Sequence, residues 1–463
     1  ASRKRKLIFF FPKLFFSISS IDFLMATFTS NPFKKSELIN FLLVRVHTDA
    51  LPADDYAVNS DFYIWTALFA VLLTFGMETA FFRFYNTENK KDALVSTSFI
   101  SMLITVIGFV VVIALFFDFF QTFFDFKNNP LRLKLFVGIL AIDTISMIPF
   151  AYLRVSNKPI RYAGIKLVNV GVIVIINLLF LKFIPAFLEQ GEILPTLIKD
   201  NYLEADKVNY IFIANIFGSA ISLFMLMPYL MKFKFDFDFH LLKKILAYSW
   251  PIMVAGLAYV INENLDKFLI KRMIGDTEMG IYSACYKLAI FMNLYIMAFR
   301  LGAEPFFFNN ADKINAKETY AKIMNYFVII GALVLIGIVA YIDILKHFIN
   351  PNYWGALVIV PVVLLANLFL GIYYNLGIWY KLTDKTIYGM YFSIVGAVIT
   401  IVLNIWLIPI IGIMASAYAT LIAYGSMAIV SYLVGKKYYA VNYNLKKIII
   451  YLGTSITICI LSF

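Results

Sequence analysis

Long apolar runs separated by short polar segments dominate the 463-residue chain. Runs of about 20 residues match the thickness of a bilayer core when they are helical, and their continuity argues against the alternating strands of a membrane barrel. The pattern predicts spans near 62–83, 94–117, 133–153, 163–183, 208–231, 245–270, 279–303, 323–346, 356–380, 387–408 and 411–435. A weak candidate lies at 38–46 and a short one at 448–463. We therefore expect an all-α polytopic membrane protein with about 12 (12–14) transmembrane helices.

The composition supports a membrane protein and excludes several enzyme classes. Hydrophobic residues make up 62% of the chain and charged residues 15%, against about 25% charged in soluble domains. No phosphate loop of the GxxxxGK[ST] type occurs, and the three histidines are far apart in sequence, so an ATP-driven pump and a zinc enzyme are disfavoured. Cys285 and Cys459 lie in apolar runs and imply no disulfide framework. No cofactor is expected, and a coupling Na⁺ or H⁺ stays open.

The distribution of cations predicts the topology. Of the 40 lysines and arginines, twenty fall in loops on one side of the predicted membrane and nine in loops on the other. The positive-inside rule assigns the first set to the cytoplasm, with a cytoplasmic N-terminus. The net charge of +12 is then mostly a topology signal, and no nucleic-acid partner is needed.

Several charged residues lie inside the spans or at their ends, where each costs about 2.5–3.5 kcal/mol. Three of them, in NENLDKFLIKR (262–272), fall on one helical stripe. Internal ion pairs that only fix the packing are one explanation, and a substrate path is the other. The cations are Arg45, Lys267, Lys287 and Arg300, and the acids are Glu78, Asp143, Glu263, Asp266 and Glu304.

Two segments recur at nearly the same offset. FLLVRVHTD (41–49) matches FLIKRMIGD (268–276), and GMETAFF (76–82) matches GAEPFFF (302–308). A tandem duplication of six helices per half would give both halves one orientation and a cleft at their interface. We predict an N-terminal tail (1–37), two six-helix lobes (38–235 and 236–440) and a partial helix (441–463).

The segments LLTFGMETAFFRFYN, NENLDKFLIKRMIG, GIYSACYKLA, AFRLGAEPFFF, GIWYKLTDKT and GAVITIVLNIWLIPIIGIMASAYATLIAY resemble bacterial Wzx-type polysaccharide-unit flippases. These belong to the multidrug/oligosaccharidyl-lipid/polysaccharide (MOP) exporter superfamily. The resemblance implies two pseudo-symmetric six-helix lobes around a cationic cavity lined by the first, second, seventh and eighth helices. It implies transport of undecaprenyl-pyrophosphate-linked oligosaccharides (O-antigen, capsule or exopolysaccharide units) between leaflets of the bacterial inner membrane by alternating access. The chain would be a monomeric secondary-type transporter rather than an enzyme, with membrane lipids, a polymerase and glycosyltransferases as partners.

On this hypothesis the cationic cavity holds the pyrophosphate through Arg45, Lys267, Arg300 and, in reserve, Lys287. Coupling or gating is assigned to Glu78, Glu263, Asp266 and Glu304. A MATE-like drug/cation antiporter, with an acidic cleft, and a membrane glycan ligase or transferase, with a larger external region, are the alternatives.

The first helix departs from the resemblance. Only INFLLVRV (39–46) matches it, whereas the apolar stretch 7–31, interrupted by Lys13 and Asp22, could complete it or lie on the membrane surface. Met25 could also be the true start of the protein. A truncated first helix would put the role of Arg45 in doubt.

Overall fold

Helices account for nearly all of the chain that the computed structural model describes, namely residues 43–88, 90–126, 129–156, 158–189, 202, 206–231, 236–311, 313–383 and 385–462. The first helical segment, α1, is described over 43–50. The N-terminal half continues with α2 Ala53–Thr74, α3 Met77–Thr87, α4 Lys91–Leu115, α5 Phe117–Phe123, α6 Pro130–Val155, α7 Pro159–Leu178, a π-helical turn Leu179–Phe183, α8 Ile184–Glu189 and α9 Lys207–Leu230.

The C-terminal half begins with an unusually long helix, α10 Phe239–Met273. It continues with α11 Asp276–Tyr286, a 3-10 turn Lys287–Ala289, α12 Ile290–Asn309, α13 Ala316–Ala340, α14 Ile342–Leu345, 3-10 turns Lys346–Phe348 and Pro351–Ile359, α15 Val360–Leu376, α16 Ile378–Leu382, α17 Ile387–Ile411, α18 Met414–Tyr438 and α19 Leu445–Ser462.

Twelve helical stretches of the described chain are long and apolar enough to cross a membrane. The prediction of an all-α polytopic membrane protein is confirmed, and the described residues contain no strand. The predicted short helix at 448–463 begins earlier, at Leu445, and is one of the twelve. The predicted tail 1–37 and the start of the weak span 38–46 lie outside the described residues.

The second predicted span, 62–83, is wrong in its bounds. Helix α2 begins nine residues earlier, at Ala53, and ends where Phe75 and Gly76 adopt left-handed backbone angles, φ 53° and 69°. A Cβ on Gly76 would lie 2.8 Å from the Ser249 carbonyl oxygen of α10, so the break also allows a close helix contact. Hydropathy alone does not detect such a break.

The helices alternate in direction, which gives the bundle two ends. We call the end that holds residues 51–52, 124–126, 274–275 and 341–350 the outer end, following the cation distribution. The opposite end, with residues 88–90, 231–238 and 439–444, is the inner end. The repeated segments match in position, because α1 and α10 both finish at the outer end, and α3 and the end of α12 both finish at the inner end.

Aromatic stacking fills the N-terminal half, where Phe62 of α2 lies on Phe212 of α9 with ring centroids 3.7 Å apart. Small residues allow close packing in the C-terminal half, where Ala415, Ala417 and Ala419 of α18 are fully buried. Helix α10 joins the two halves. Its first turns contact α3, through Tyr248 against Phe84, whereas Asn262 further along accepts a hydrogen bond from Thr400 of α17. Whether the lobes divide near residue 236 stays a prediction.

Candidate functional site

The charged stripe of α10 lies inside the C-terminal half, where Asp266 and Lys267 are buried. The Lys267 Nζ lies 3.2 Å from Asp266 Oδ1 and donates to the Glu263 carbonyl oxygen at 2.7 Å. The ammonium also sits 4.0 Å from the centre of the Tyr286 ring. The i,i+3 and i,i+4 spacing therefore brings these three residues together, and Lys267 is an internally paired cation.

Tyrosines from two other helices complete this cluster. Tyr282 of α11 donates to Asp266 Oδ2 at 2.7 Å, and Tyr424 of α18 donates to Glu263 Oε1 at 2.6 Å. The sequence predicted no role for either tyrosine. The i,i+4 spacing of Tyr282 and Tyr286 was the local signal, whereas Tyr424 is 161 positions from its partner and gave none.

Lys287 differs from Lys267 in its surroundings. It begins the 3-10 turn Lys287–Ala289 between α11 and α12. Its side chain is accessible to solvent, even though protein atoms surround it. It lies within electrostatic range of Lys267 on α10 and His47 on α1. Within the described part of the chain it makes no ion pair. Its charged neighbours thus come from helices of both halves.

Arg300 lies one helix segment further along, on α12. Its guanidinium is 4.2 Å from the centre of the Tyr374 ring of α15, a cation–π contact. Glu304, predicted one turn later, belongs to the same helix, but its side chain lies outside the described residues.

Two other predicted residues make their ion pairs elsewhere. Arg45 pairs with Asp49 at 2.7 Å and donates to the carbonyl oxygens of His347 and Ile349 at 3.0 and 3.1 Å, at the outer end. Glu78 pairs with Arg154 at 2.7 Å near the inner end, and both side chains are partly exposed. The structure thus groups Glu263, Asp266 and Lys267 with Lys287 nearby, whereas Arg45 and Glu78 pair with other residues.

Asp143, the remaining intramembrane acid, forms a separate small cluster in the N-terminal half. It accepts a hydrogen bond from Ser219 of α9 and faces Lys166 of α7. Among the described residues, no three His, Cys, Asp or Glu side chains form a group that could hold a metal ion. Lys287 is an accessible cation near the cluster of Glu263, Asp266 and Lys267.

Comparison with known proteins decides the family. The model of the family described as polysaccharide biosynthesis protein matches residues 35–310, more than half of the chain. The chain belongs to this family. A comparison with curated proteins gives no match.

Solved structures share the fold. The lipid II flippase MurJ in an inward closed conformation superposes with a TM-score of 0.72 at 14% identity, covering 96% of this chain and 92% of its own. A multidrug resistance MATE family transporter of the MOP superfamily, in an inward-facing conformation, gives 0.67 at 13% identity, with coverages of 87% and 94%. A MOP superfamily transporter from Pyrococcus furiosus gives 0.57 at 13% identity, with coverages of 88% and 96%. This family member is a multi-pass membrane protein with the fold of MOP transporters and flippases.

Proposed function

We propose that the protein is a flippase for undecaprenyl-pyrophosphate-linked oligosaccharide units of the O-antigen, capsule or exopolysaccharide type. It moves them from the cytoplasmic to the periplasmic leaflet of a bacterial inner membrane by alternating access, as a monomer. The observation that carries the proposal is Lys287, an accessible cation in the membrane region that makes no ion pair within the described chain. The family supports the same function, since its description concerns polysaccharide biosynthesis.

The electrostatics of Lys287 suit a phosphorylated headgroup. A pyrophosphate is a strongly hydrated polyanion, and it crosses a bilayer only where protein groups replace its water with charge-assisted hydrogen bonds. Lys267 is within electrostatic range of Lys287 and has its own aspartate, so it adds hydrogen-bond donors more than net charge. Arg300, beside Tyr374, is proposed as a second contact on the path. The place of Arg45 at the outer end suits a role in closure better than in headgroup binding.

Glu263 is the best-placed coupling group for Na⁺ or H⁺. Its carboxylate is partly exposed and accepts a hydrogen bond from Tyr424, while Asp266 is committed to Lys267 and Tyr282. Polymerase and glycosyltransferase partners follow from the proposed substrate alone.

The decisive experiment is complementation of a strain that lacks its O-unit flippase. Lys287→Met should lower surface glycan at least tenfold at equal membrane abundance, because it removes the accessible charge, and Lys287→Arg should retain glycan. Lys313→Met, which removes an exposed loop cation, is the matched control. Equal activity of Lys287→Met and Lys313→Met would refute the headgroup role.

Failure of the wild-type chain in one strain has to be separated from glycan specificity, so a second strain with a different repeat unit is used in parallel. The competing function is a MATE-like drug/cation antiporter, which the similarity to a MATE structure makes worth testing. Drug resistance conferred by the wild type, with no glycan restored in either strain, would favour the antiporter.

A further inference from the structure

The two halves of the molecule meet at the outer end through a buried ion pair. Lys271 of α10 lies 2.9 Å from Asp61 Oδ2 of α2, and the two side chains are 7% and 4% exposed. Asp125 Oδ2 lies 3.3 Å and Asp276 Oδ1 3.9 Å from the same ammonium. Lys271 of the C-terminal half therefore pairs with an aspartate that is buried in the N-terminal half. Two more carboxylates, which are exposed, lie close to the same ammonium.

Other contacts between the halves surround this pair and close the outer end. Tyr353 donates to the Leu51 carbonyl oxygen at 2.8 Å, and its ring packs edge-on against Tyr56 with centroids 5.5 Å apart. Gly280 of α11 approaches the Ala53 carbonyl so closely that a Cβ would clash with it. The Asp61–Lys271 pair thus sits in a continuous, tightly packed seam between the halves.

The pair is incompletely compensated. Asp61 Oδ1 is buried and has no hydrogen-bond partner among the described residues. Removing two charges from water costs free energy that Coulomb attraction repays only when the remaining polar atoms are satisfied, and well-packed apolar replacements are often more stable. When the halves separate, water hydrates both charged groups and offsets the loss of their attraction.

We propose that the Asp61–Lys271 pair is a device that keeps the outer closure reversible. It aligns the two halves when they close, and its poor compensation prevents the seam from becoming too stable to open. This inference rests on the alternating access of the proposed function. It has two opposite consequences: removing Lys271 leaves the buried Asp61 carboxylate without its ion-pair partner and opens the seam, whereas replacing both residues by apolar ones locks it closed.

A cysteine inside the seam reports the state of the closure. Ala57 is fully buried on the α2 face between Ala53 and Asp61, so Ala57→Cys is shielded while the seam is closed. The rate of its labelling by a membrane-impermeant maleimide is measured in spheroplasts and in inverted vesicles, which determines the side on which the seam opens. The native cysteines Cys285 and Cys459 are buried and give the background in the chain without Ala57→Cys. Ile344→Cys, on an exposed outer turn, gives the rate for an always accessible site.

In the Ala57→Cys chain we expect Lys271→Met alone to speed labelling at least fivefold, because it leaves the buried Asp61 without its ion-pair partner. Asp61→Asn should speed labelling by less, because Asp125 and Asp276 still lie beside the Lys271 ammonium. The double variant Asp61→Leu/Lys271→Met should label at least threefold more slowly than the parent and lose transport. Lys346→Met, which removes an exposed outer pair with Asp343, should change nothing.

The proposal would be overturned if the double apolar variant labelled as fast as the single variants. The pair would then stabilise the closed seam. Unchanged labelling in the single variants would overturn it too.

A variant that misfolds is recognised by a changed labelling rate at Ile344→Cys and by loss of a monodisperse peak in detergent. In that case Lys271→Gln replaces Lys271→Met. The labelling needs no substrate, so the device can stand while complementation refutes the flippase, and the reverse.

Discussion

Lys267 and Lys271 lie one turn apart on α10, and each is buried beside an aspartate, yet the two pairs differ in kind. Lys267 pairs with the neighbouring Asp266, and both carboxylate oxygens of Asp266 accept hydrogen bonds, one from the Lys267 backbone and ammonium and one from Tyr282. Lys271 reaches across to Asp61 in the other half, and Asp61 Oδ1 lacks a partner in the described structure. The Asp266–Lys267 pair thus lies within the C-terminal half, whereas the Asp61–Lys271 pair joins the two halves.

The difference shows that burial alone does not give the role of an intramembrane charge. A fully hydrogen-bonded pair within one group of helices moves as a unit and gains nothing from water. A pair between two groups, with one oxygen unsatisfied, is hydrated when the groups separate. On the proposed function, we therefore expect the Asp61–Lys271 pair to break during transport and the Asp266–Lys267 pair to stay intact.

The largest effect is expected from breaking the satisfied pair. Asp266→Ala would leave Lys267 without its ion-pair partner and Tyr282 without an acceptor, and such a loss costs about 3–5 kcal/mol. Thermal unfolding of the purified protein in detergent should show a lower midpoint, or the protein should not accumulate. Asp343→Ala, which removes an exposed pair with Lys346, is the control. Equal midpoints for the two variants would mean that the Asp266 network contributes little to stability.

The tyrosine donors come next. Tyr282→Phe removes the hydroxyl that donates to Asp266 Oδ2 at 2.7 Å, and a hydrogen bond to a charged group contributes about 1.5–3 kcal/mol. The same unfolding measurement should show a smaller loss than for Asp266→Ala. Tyr451→Phe, on α19, is the control for loss of a hydroxyl. If Tyr282→Phe matches this control, the Asp266 carboxylate is satisfied by Lys267 alone.

These residues show which parts of the fold and of the candidate site can be predicted from the sequence. Hydropathy found eleven of the spans, and the helical stripe placed Glu263, Asp266 and Lys267 together, because both depend on local periodicity. The partners of these residues depend on the approach of distant helices. Asp61 and Lys271 are 210 positions apart. The predicted span 245–270 ends one residue before Lys271, and the predicted span 62–83 begins one residue after Asp61. Lys287 was predicted as a reserve contact only, because the accessibility of a cation depends on how distant helices pack and cannot be read from the sequence.

A steric change tests the seam without altering its charges. Gly280→Ala would push α11 away from the Ala53 carbonyl, and overpacking of this kind costs about 1–3 kcal/mol. We expect faster maleimide labelling of Ala57→Cys, by less than in the Lys271→Met chain. Gly425→Ala, where an added Cβ meets nothing within 4 Å, should leave the rate unchanged. Labelling that rises equally in both glycine variants would indicate a general loosening of the bundle.

The smallest effect concerns the inner end, where Asp238 caps α10. The Leu241 N–H donates to Asp238 Oδ1 at 3.0 Å, and this hydrogen bond, with smaller effects of the His240 backbone N–H and the charges of Lys90 and His240, lowers the pKa of Asp238 below its ordinary 3.8. A lowered pKa in the folded state means that the ionised cap stabilises the protein at pH values above 3.8, and that this stabilisation is lost as the pH falls through the folded pKa. Asp238→Asn keeps a capping oxygen but cannot ionise. Unfolding midpoints measured from pH 7 downwards should therefore show a small deficit for Asp238→Asn that shrinks below pH 3.8 and disappears once the pH is below the folded pKa. A deficit independent of pH would mean that the cap acts through its geometry and not its charge.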